Sequence, residues 1–221
     1  MNQQVNALFR ITVNVGIEQS LNSFDALVIE TEKFTSKSIA QCAKNFQDHL
    51  WGVSAMGKIT KEDAILAYES GADFIIFDPM KAPASIFDVP ELGLILTVPL
   101  TVSEPDTRSM RYLPVDAISV CFDTSMQTMT AASLGRILGI VNGFGKPTLI
   151  SGPGLLEIET AQALRNAQIN AVVLDASHTK EAAKLKAQLT SLPRLHVRSQ
   201  SDTGLVPSIG QTAIEEDELE D

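Results

Sequence analysis

The chain has 221 residues, is 44% hydrophobic and carries a formal net charge of -10. A chain of this length can bury the core of one substantial domain. Six acids lie within residues 215–221, which leaves a net charge of -4 on the remaining residues. Because the chain is acidic and has no cluster of Lys and Arg, we expect it to bind neither nucleic acid nor an anionic membrane surface.

The two cysteines, Cys42 and Cys121, lie in apolar segments and lack CxxC spacing. We therefore predict neither a disulfide framework nor a zinc site. Residues 1–6 are polar and do not resemble a secretory signal, and no apolar run approaches the roughly 18 residues of a membrane span. These features together predict a soluble, cytoplasmic protein.

One short pattern, a polar residue followed by an apolar run, occurs four times in the chain. The four copies are residues 25–30, 73–78, 116–121 and 170–175. Runs rich in Val, Ile and Phe and bounded by Asp or Asn are typical of strands that are buried on both faces of a parallel sheet. The spacing between copies leaves room for another strand, and further apolar runs lie at 10–15, 50–54, 92–98 and 147–151. The sequence therefore predicts eight strands.

Apolar residues at three- and four-residue spacing predict helices between or after these strands. The predicted helices cover residues 38–46, 61–70, 131–141, 155–167 and 180–192. Thr60 or a neighbouring residue can cap the second helix, whose first turn contains Glu62 and Asp63. We expect short or irregular helices after the first, fourth and fifth strands, where prolines interrupt the connections. These prolines are Pro83, Pro90, Pro99 and Pro105.

Eight alternating strand and helix units, joined by right-handed crossovers, predict an α/β protein with a closed (β/α)8 TIM barrel. The alternative is an open, doubly wound sheet with a Gly-rich phosphate loop after the first strand, and residues 14–17 (NVGI) do not form such a loop. We therefore expect no nucleotide cofactor. Residues 1–193 are assigned to the barrel. Residues 194–221 are predicted to be a disordered acidic tail, with binding to a protein partner as the alternative to a purely solvated tail.

Functional residues of such barrels lie at the carboxyl ends of the strands. Alternation places the large apolar residues of the four repeats toward the helices and the acids that end the repeats toward one opening. These acids are Glu30, Asp78, Asp123 and Asp175. Clustered carboxylates suit general acid/base chemistry, or they bind a divalent metal such as Mg²⁺, for which we select Glu30, Asp78 and Asp175. The structural alternative is that each acid accepts hydrogen bonds from N–H groups in the loop after its strand.

Three loops add further candidates. Lys81 follows a strand and has Asp78 nearby; it would serve as a Schiff-base lysine only if desolvated, whereas an exposed loop lysine is the commoner case. Gly152 and Gly154 follow the seventh strand, where backbone N–H groups hold phosphate in many proteins. Ser177 and His178 follow the eighth strand and offer a hydroxyl and an imidazole. A plain turn and a surface histidine are the alternatives for these two loops.

Residues 51–55 (WGVSA), followed by 61–79, resemble the central segment of keto-deoxy-phosphogluconate aldolases. More broadly, residues 24–192 are similar to the aldolase-type phosphate-binding barrels. The resemblance implies that Glu30 is the general acid/base and that Gly152 and Gly154 are phosphate glycines. The Schiff-base lysine of that family lies on the sixth strand, and no lysine occurs between Lys81 and Lys146. The resemblance therefore implies the fold without the Schiff-base aldolase reaction.

Two functions follow from these features. The first, which the missing lysine and the acidic tail favour, is a catalytically degenerate barrel that binds a small molecule or serves as a scaffold. The second is a lyase or isomerase that acts on a small phosphorylated or carboxylated metabolite, with carboxylate acid/base or metal-assisted chemistry. Fold alone does not decide between them. Self-association is left open, because the sequence shows no exposed apolar stripe that would mark an interface.

Overall fold

The computed structural model describes most of the central part of the chain. The described residues are 6–12, 25–31, 35, 39, 43–46, 48–55, 57–89, 91–121, 129–151, 157–175, 183, 184 and 187. Eight parallel strands pair in sequence order, and the last strand pairs with the first to close a barrel. The structure therefore confirms the predicted TIM-barrel fold and excludes the open sheet.

All eight predicted strands are present, and seven of them agree with the prediction to within one or two residues at each end. The strands are β1 Asn6–Thr12, β2 Ala26–Thr31, β3 Trp51–Ala55, β4 Phe74–Phe77, β5 Gly93–Pro99, β6 Ala117–Cys121, β7 Thr148–Ser151 and β8 Ala171–Asp175. The predicted start of β1 is wrong by four residues: the sequence predicts a strand over 10–15, whereas β1 begins at Asn6. Residues 8–12 pair with β2, and residues 6–10 pair with β8.

Within the described part of the chain, four α-helices and one 3-10 helix between the strands have defined bounds. They are α1 Lys61–Glu69, the 3-10 helix Ala84–Asp88, α2 Glu104–Met110, α3 Ala131–Phe144 and α4 Ile158–Asn166. Thr60 and Asp63 form a capping box at the start of α1, as the sequence predicts. After β4 the chain forms only the 3-10 helix, and after β5 it forms only the seven-residue α2, so the predicted irregular connections are confirmed there. In the described part of the chain, no helix combines the length and apolar character needed to cross a bilayer.

The predicted inner and outer faces of the strands are also confirmed. One apolar cluster fills the interior of the barrel, and its members are Ala26, Val28, Phe74, Ile76, Ile95, Ala117, Leu149, Ala171 and Val173. Alternate residues of the same strands belong to a second, larger cluster that includes helix residues such as Ile137 and Leu164. The strands are thus buried on both faces, which explains their nearly continuous apolar sequence.

In three of the four repeats, the first, polar residue makes a hydrogen bond to the neighbouring strand at the amino-terminal end of the barrel. The side chains of Asp73, Asp116 and Asn170 accept hydrogen bonds from the N–H groups of Trp51, Leu94 and Thr148, at 2.9, 2.8 and 2.8 Å. Each acceptor lies 22 residues after its donor, and each donor begins or nearly begins the preceding strand. The polar residue therefore has a structural role on the rim opposite the candidate site.

These contacts predict a graded response to substitution. Asp116→Ala should lower the free energy of unfolding by about 1–3 kcal/mol, because the Leu94 N–H loses its acceptor. Asp116→Asn should cost less than half as much, since the amide oxygen of Asn170 already makes the same bond at the next pair of strands. Urea unfolding of both variants measures the difference. Equal losses for Asp116→Asn and Asp116→Ala would show that the negative charge is required rather than the acceptor.

Candidate functional site at the carboxyl ends of the strands

A layer of small polar side chains lies above the apolar interior, toward the carboxyl ends of the strands. These side chains lie on the inner face of their strands, because their neighbours within each strand pack against the helices. They are Ser54 of β3, Thr97 of β5, Ser119 of β6 and Ser151 of β7. Ser119 is only 1% exposed, whereas the other three are partly exposed. The floor of the opening is therefore polar, and solvent reaches part of it.

Two serines and a cysteine are in contact within this layer. The hydroxyl oxygens of Ser119 and Ser151 are 2.9 Å apart, and the Cys121 Sγ lies 3.5 Å from the Ser151 Oγ. Cys121 is a partly exposed, free thiol at the carboxyl end of β6. The hydrogen bond between the serines satisfies the buried Ser119 and holds the Ser151 side chain at the carboxyl end of β7.

Glu30 is the second-last residue of β2, and it is only partly exposed. In the strand register it is the partner of Ser54 on one side and of Thr12 on the other. It follows the interior residues Ala26 and Val28 at two-residue spacing, so it lies on the inner face. The structure therefore places Glu30 at the edge of the polar layer.

Asp78 is the first residue after β4, and its carboxylate contacts two residues of the loop that follows. Its Oδ1 accepts a hydrogen bond from the Met80 N–H at 2.9 Å, and its Oδ2 lies 3.4 Å from the Lys81 Nζ. The first contact is the structural alternative considered for the strand-end acids. The Lys81 side chain is 46% exposed, so it lacks the desolvation that activates a Schiff-base lysine.

Several predicted site residues lie outside the described part of the chain. Asp175 ends β8 and is the register partner of Arg10, but its side chain is among the features not described. The other such residues are Asp123, Gly152, Gly154, Ser177 and His178. The convergence of all four acids on one opening stays a prediction. Among the residues that the structure does describe, no group of three or more His, Cys, Asp or Glu side chains could hold a metal ion.

The sequence alone does not identify these serines and Thr97 as site residues. Within an apolar run, a single Ser or Thr is compatible with many environments, so its type carries little information. The usable signal was position, because Ser54, Ser119 and Ser151 occupy the same alternation as the strand-end acids, close to the carboxyl end of each strand.

The chain was compared with known proteins at the levels of sequence and structure. No family model matches it, and no curated protein matches it in sequence. Solved structures do match. A 3-keto-L-gulonate-6-phosphate decarboxylase from Vibrio cholerae has a TM-score of 0.68 and 13% identity, with 85% of this chain and 98% of that chain covered.

Two further matches have other activities in their names. A 3-hexulose-6-phosphate synthase from Salmonella typhimurium has a TM-score of 0.64 and 13% identity, with 84% of this chain and 99% of that chain covered. A thiamine phosphate pyrophosphorylase from Pyrococcus furiosus has a TM-score of 0.58 and 14% identity, with 86% and 95% covered. At these identities the similarity shows the fold. The chain is a β/α barrel that matches such structures over nearly their whole length.

Proposed function

We propose that this chain binds a small phosphorylated carbonyl compound at the carboxyl end of the barrel. The observation that carries the proposal is the polar inner layer of Ser54, Thr97, Ser119 and Ser151. Three of these four side chains are partly exposed, so their hydroxyl groups can reach a bound molecule as well as solvent. Small hydroxyl side chains leave room above them and can donate to or accept from a sugar.

The three structural matches support the choice of a phosphorylated ligand. Each of the named proteins is a decarboxylase, synthase or pyrophosphorylase whose name contains a phosphate compound. In barrels of this kind the phosphate site is commonly formed by the loops after the seventh and eighth strands. Gly152 and Gly154 are the candidates after β7, and Ser177 and His178 are the candidates after β8.

Glu30 is the proposed general acid/base. It lies on the inner face of β2, where Ser54 of β3 is its register partner, and its partial burial suits proton transfer to or from a carbon next to a carbonyl. Asp78 and Lys81 would contact the ligand from the loop after β4, since their ion pair remains partly exposed. A divalent cation held by Glu30, Asp78 and Asp175 is the metal-assisted form of the same proposal.

A panel of ligands tests this function without knowledge of the reaction. Ketose phosphates, the matching unphosphorylated sugars, keto acids, Mg²⁺ and Mn²⁺ would be screened by thermal unfolding. A phosphorylated ligand at about 100 times its Kd should stabilise the fold by roughly 2.7 kcal/mol. For a chain of this size, that corresponds to a rise in Tm of about 5–10 °C. The unphosphorylated sugars should give much smaller shifts.

Proton exchange at the carbon next to the ligand's carbonyl, followed by NMR in D2O, tests the role of Glu30. Glu30→Gln should abolish the exchange while the Tm shift is retained, because the amide keeps the shape but cannot take up the proton. Asp88→Asn is the matched control, since Asp88 is an exposed carboxylate that pairs with Lys61 away from the interior. If no phosphorylated compound raises the Tm of the wild-type chain, the proposed function is wrong.

A scaffold barrel without catalysis is the second candidate. Its supporting observations are that β6 contains no lysine and that Lys81 is 46% exposed, so the described strands offer no buried amine for Schiff-base chemistry. Ligand binding without any proton exchange would favour this candidate. Loss of metal-dependent stabilisation in Glu30→Gln with Asp78→Asn would instead favour the metal-assisted enzyme.

A further inference from the structure

A groove of about 750 Å³ lies between α2 and α3, away from the interior of the barrel. Three arginines line it: Arg108 and Arg111 at the end of α2, and Arg136 on α3. Glu104 is the one acid among the described residues that line the groove. Leu100, Val102 and Ile140 form an apolar wall. The groove therefore has a net positive charge on a chain whose net charge is -10.

Two of the three arginines are not ion-paired within the described part of the chain. Arg108 pairs with Glu104 at 2.5 Å, and both side chains are more than 70% exposed, so this pair is weak. The Arg111 guanidinium lies 5.1 Å from the centre of the Tyr112 ring. The structure gives Arg136 no hydrogen bond or ion pair with a described residue. A planar guanidinium pairs well with a carboxylate, because its N–H groups match the two oxygens.

Two glycines of α3 line the groove beside the arginines. A Cβ on Gly143 would lie 2.7 Å from the Thr107 Cγ2, so the two helices approach closely at that point. A Cβ on Gly139 would meet nothing within 4 Å, which leaves free space at the next turn of α3. The part of the groove beside Gly139 therefore has room for a bound segment of chain.

We propose that residues 215–221 of the same chain bind in this groove, with their carboxylates on Arg111 and Arg136. Six of these seven residues are acidic, and the remaining one, Leu219, matches the apolar wall. The rest of the chain carries a net charge of -4, so most of the surface repels this segment. The groove is a place where several guanidiniums offset that repulsion together.

Chain length allows this contact. Residue 215 follows the end of β8 by 40 residues, and an extended chain of that length reaches about 130 Å. The tether also holds the segment at an effective concentration on the order of 1 mM, so a weak intrinsic affinity is sufficient for binding within one molecule. The site differs from the ligand site proposed above, so either proposal can fail without the other.

Binding of a labelled peptide with the sequence of residues 211–221 tests the proposal by fluorescence anisotropy. The acceptor is the full chain in which the six acids of residues 215–221 are changed to the matching amides, so that its own segment cannot compete. We expect saturable binding that weakens strongly between low and high salt. Arg111→Gln with Arg136→Gln should weaken it by about tenfold. Equal binding by this variant, or no binding at millimolar concentration, would overturn the proposal.

Lys44→Gln with Lys58→Gln is the matched control, because it removes the same charge from exposed positions outside the groove. This variant should bind the peptide within twofold of its parent, and a tenfold loss would show that only net charge matters and overturn the assigned site. The wild-type chain should bind the peptide at least fivefold more weakly than the amide variant, since its own segment occupies the groove. Equal affinity would mean that the native groove is open to another acidic partner, which would overturn binding within the chain.

The groove could instead bind residues 215–221 of a second copy of the chain, and the molecular mass measured by light scattering distinguishes this case. If the wild-type chain forms dimers that dissociate when the six acids are changed to amides, the contact is between molecules and the proposed intramolecular form is wrong. A mass that is the same for both chains supports binding within one molecule.

Discussion

Gly52→Ala is expected to destabilise the barrel by about 3 kcal/mol or more. Gly52 lies on the inner face of β3, and a Cβ there would be 2.4 Å from the Phe74 carbonyl oxygen and 2.4 Å from its Cδ2. A ring can rotate away from such a contact, but the carbonyl oxygen belongs to the backbone of the neighbouring strand. The added methyl group must therefore shift β4 relative to β3. Urea unfolding followed by circular dichroism measures the loss.

Two other glycines provide controls for this prediction. A Cβ on Gly93 would lie 3.1 Å from the nearest atoms, so Gly93→Ala should cost about 1 kcal/mol. A Cβ on Gly135 of α3 would meet nothing within 4 Å, and alanine there should stabilise the helix by up to about 1 kcal/mol. If Gly52→Ala cost no more than Gly93→Ala, the close contact with Phe74 would not be a constraint on the fold.

Much of the fold was predictable from the sequence because the strands are short, apolar and bounded by polar residues. The alternation within each repeat also gave the correct inner and outer faces, since a residue such as Ile76 and its neighbour Phe77 point to opposite sides of the sheet. The role of Gly52 was not predictable in this way. It depends on which residue of the next strand lies opposite, and the register with Phe74 is set by the closure of the whole barrel.

The candidate site was predictable to a smaller extent. The strand-end rule selected Glu30 and Asp78, and the structure places both at the carboxyl ends of their strands. The alternative offered for these acids, a hydrogen bond from the following loop, holds for Asp78, which accepts from the Met80 N–H. The Ser119 and Ser151 pair was missed because its members are 32 residues apart and become neighbours only across two strands.

The arginine groove illustrates the same limit for charge. The sequence has no run of Lys and Arg. It does not exclude a local positive surface, because Arg111 and Arg136 are separated by 25 positions along the chain and become neighbours only when α2 packs beside α3. Net charge therefore describes only the average surface of this barrel, and the packing of the helices determines where arginine side chains cluster.

Truncation of the other residue of this contact, Phe74→Ala, should destabilise the barrel by about 3–5 kcal/mol. In the register, Phe74 lies between Gly52 on β3 and Gly93 on β5, and neither glycine has a side chain that could move into the space left by the ring. The cavity should therefore collapse little, which places the loss at the upper part of the usual range for aromatic truncation. Urea unfolding, with the slope checked for an unchanged two-state transition, gives the value.

The double variant Gly52→Ala with Phe74→Ala separates the two causes of the Gly52 contact. Removing the ring relieves the contacts with Cδ2 and Cε2, at 2.4 and 2.5 Å, but leaves the contact with the carbonyl oxygen. The double variant should therefore lose less stability than the sum of the two single losses, with a coupling of about 1–2 kcal/mol. Full additivity would assign the whole cost of Gly52→Ala to the backbone. A double variant as stable as Phe74→Ala alone would assign it to the ring, because the methyl group would then fit the vacated space.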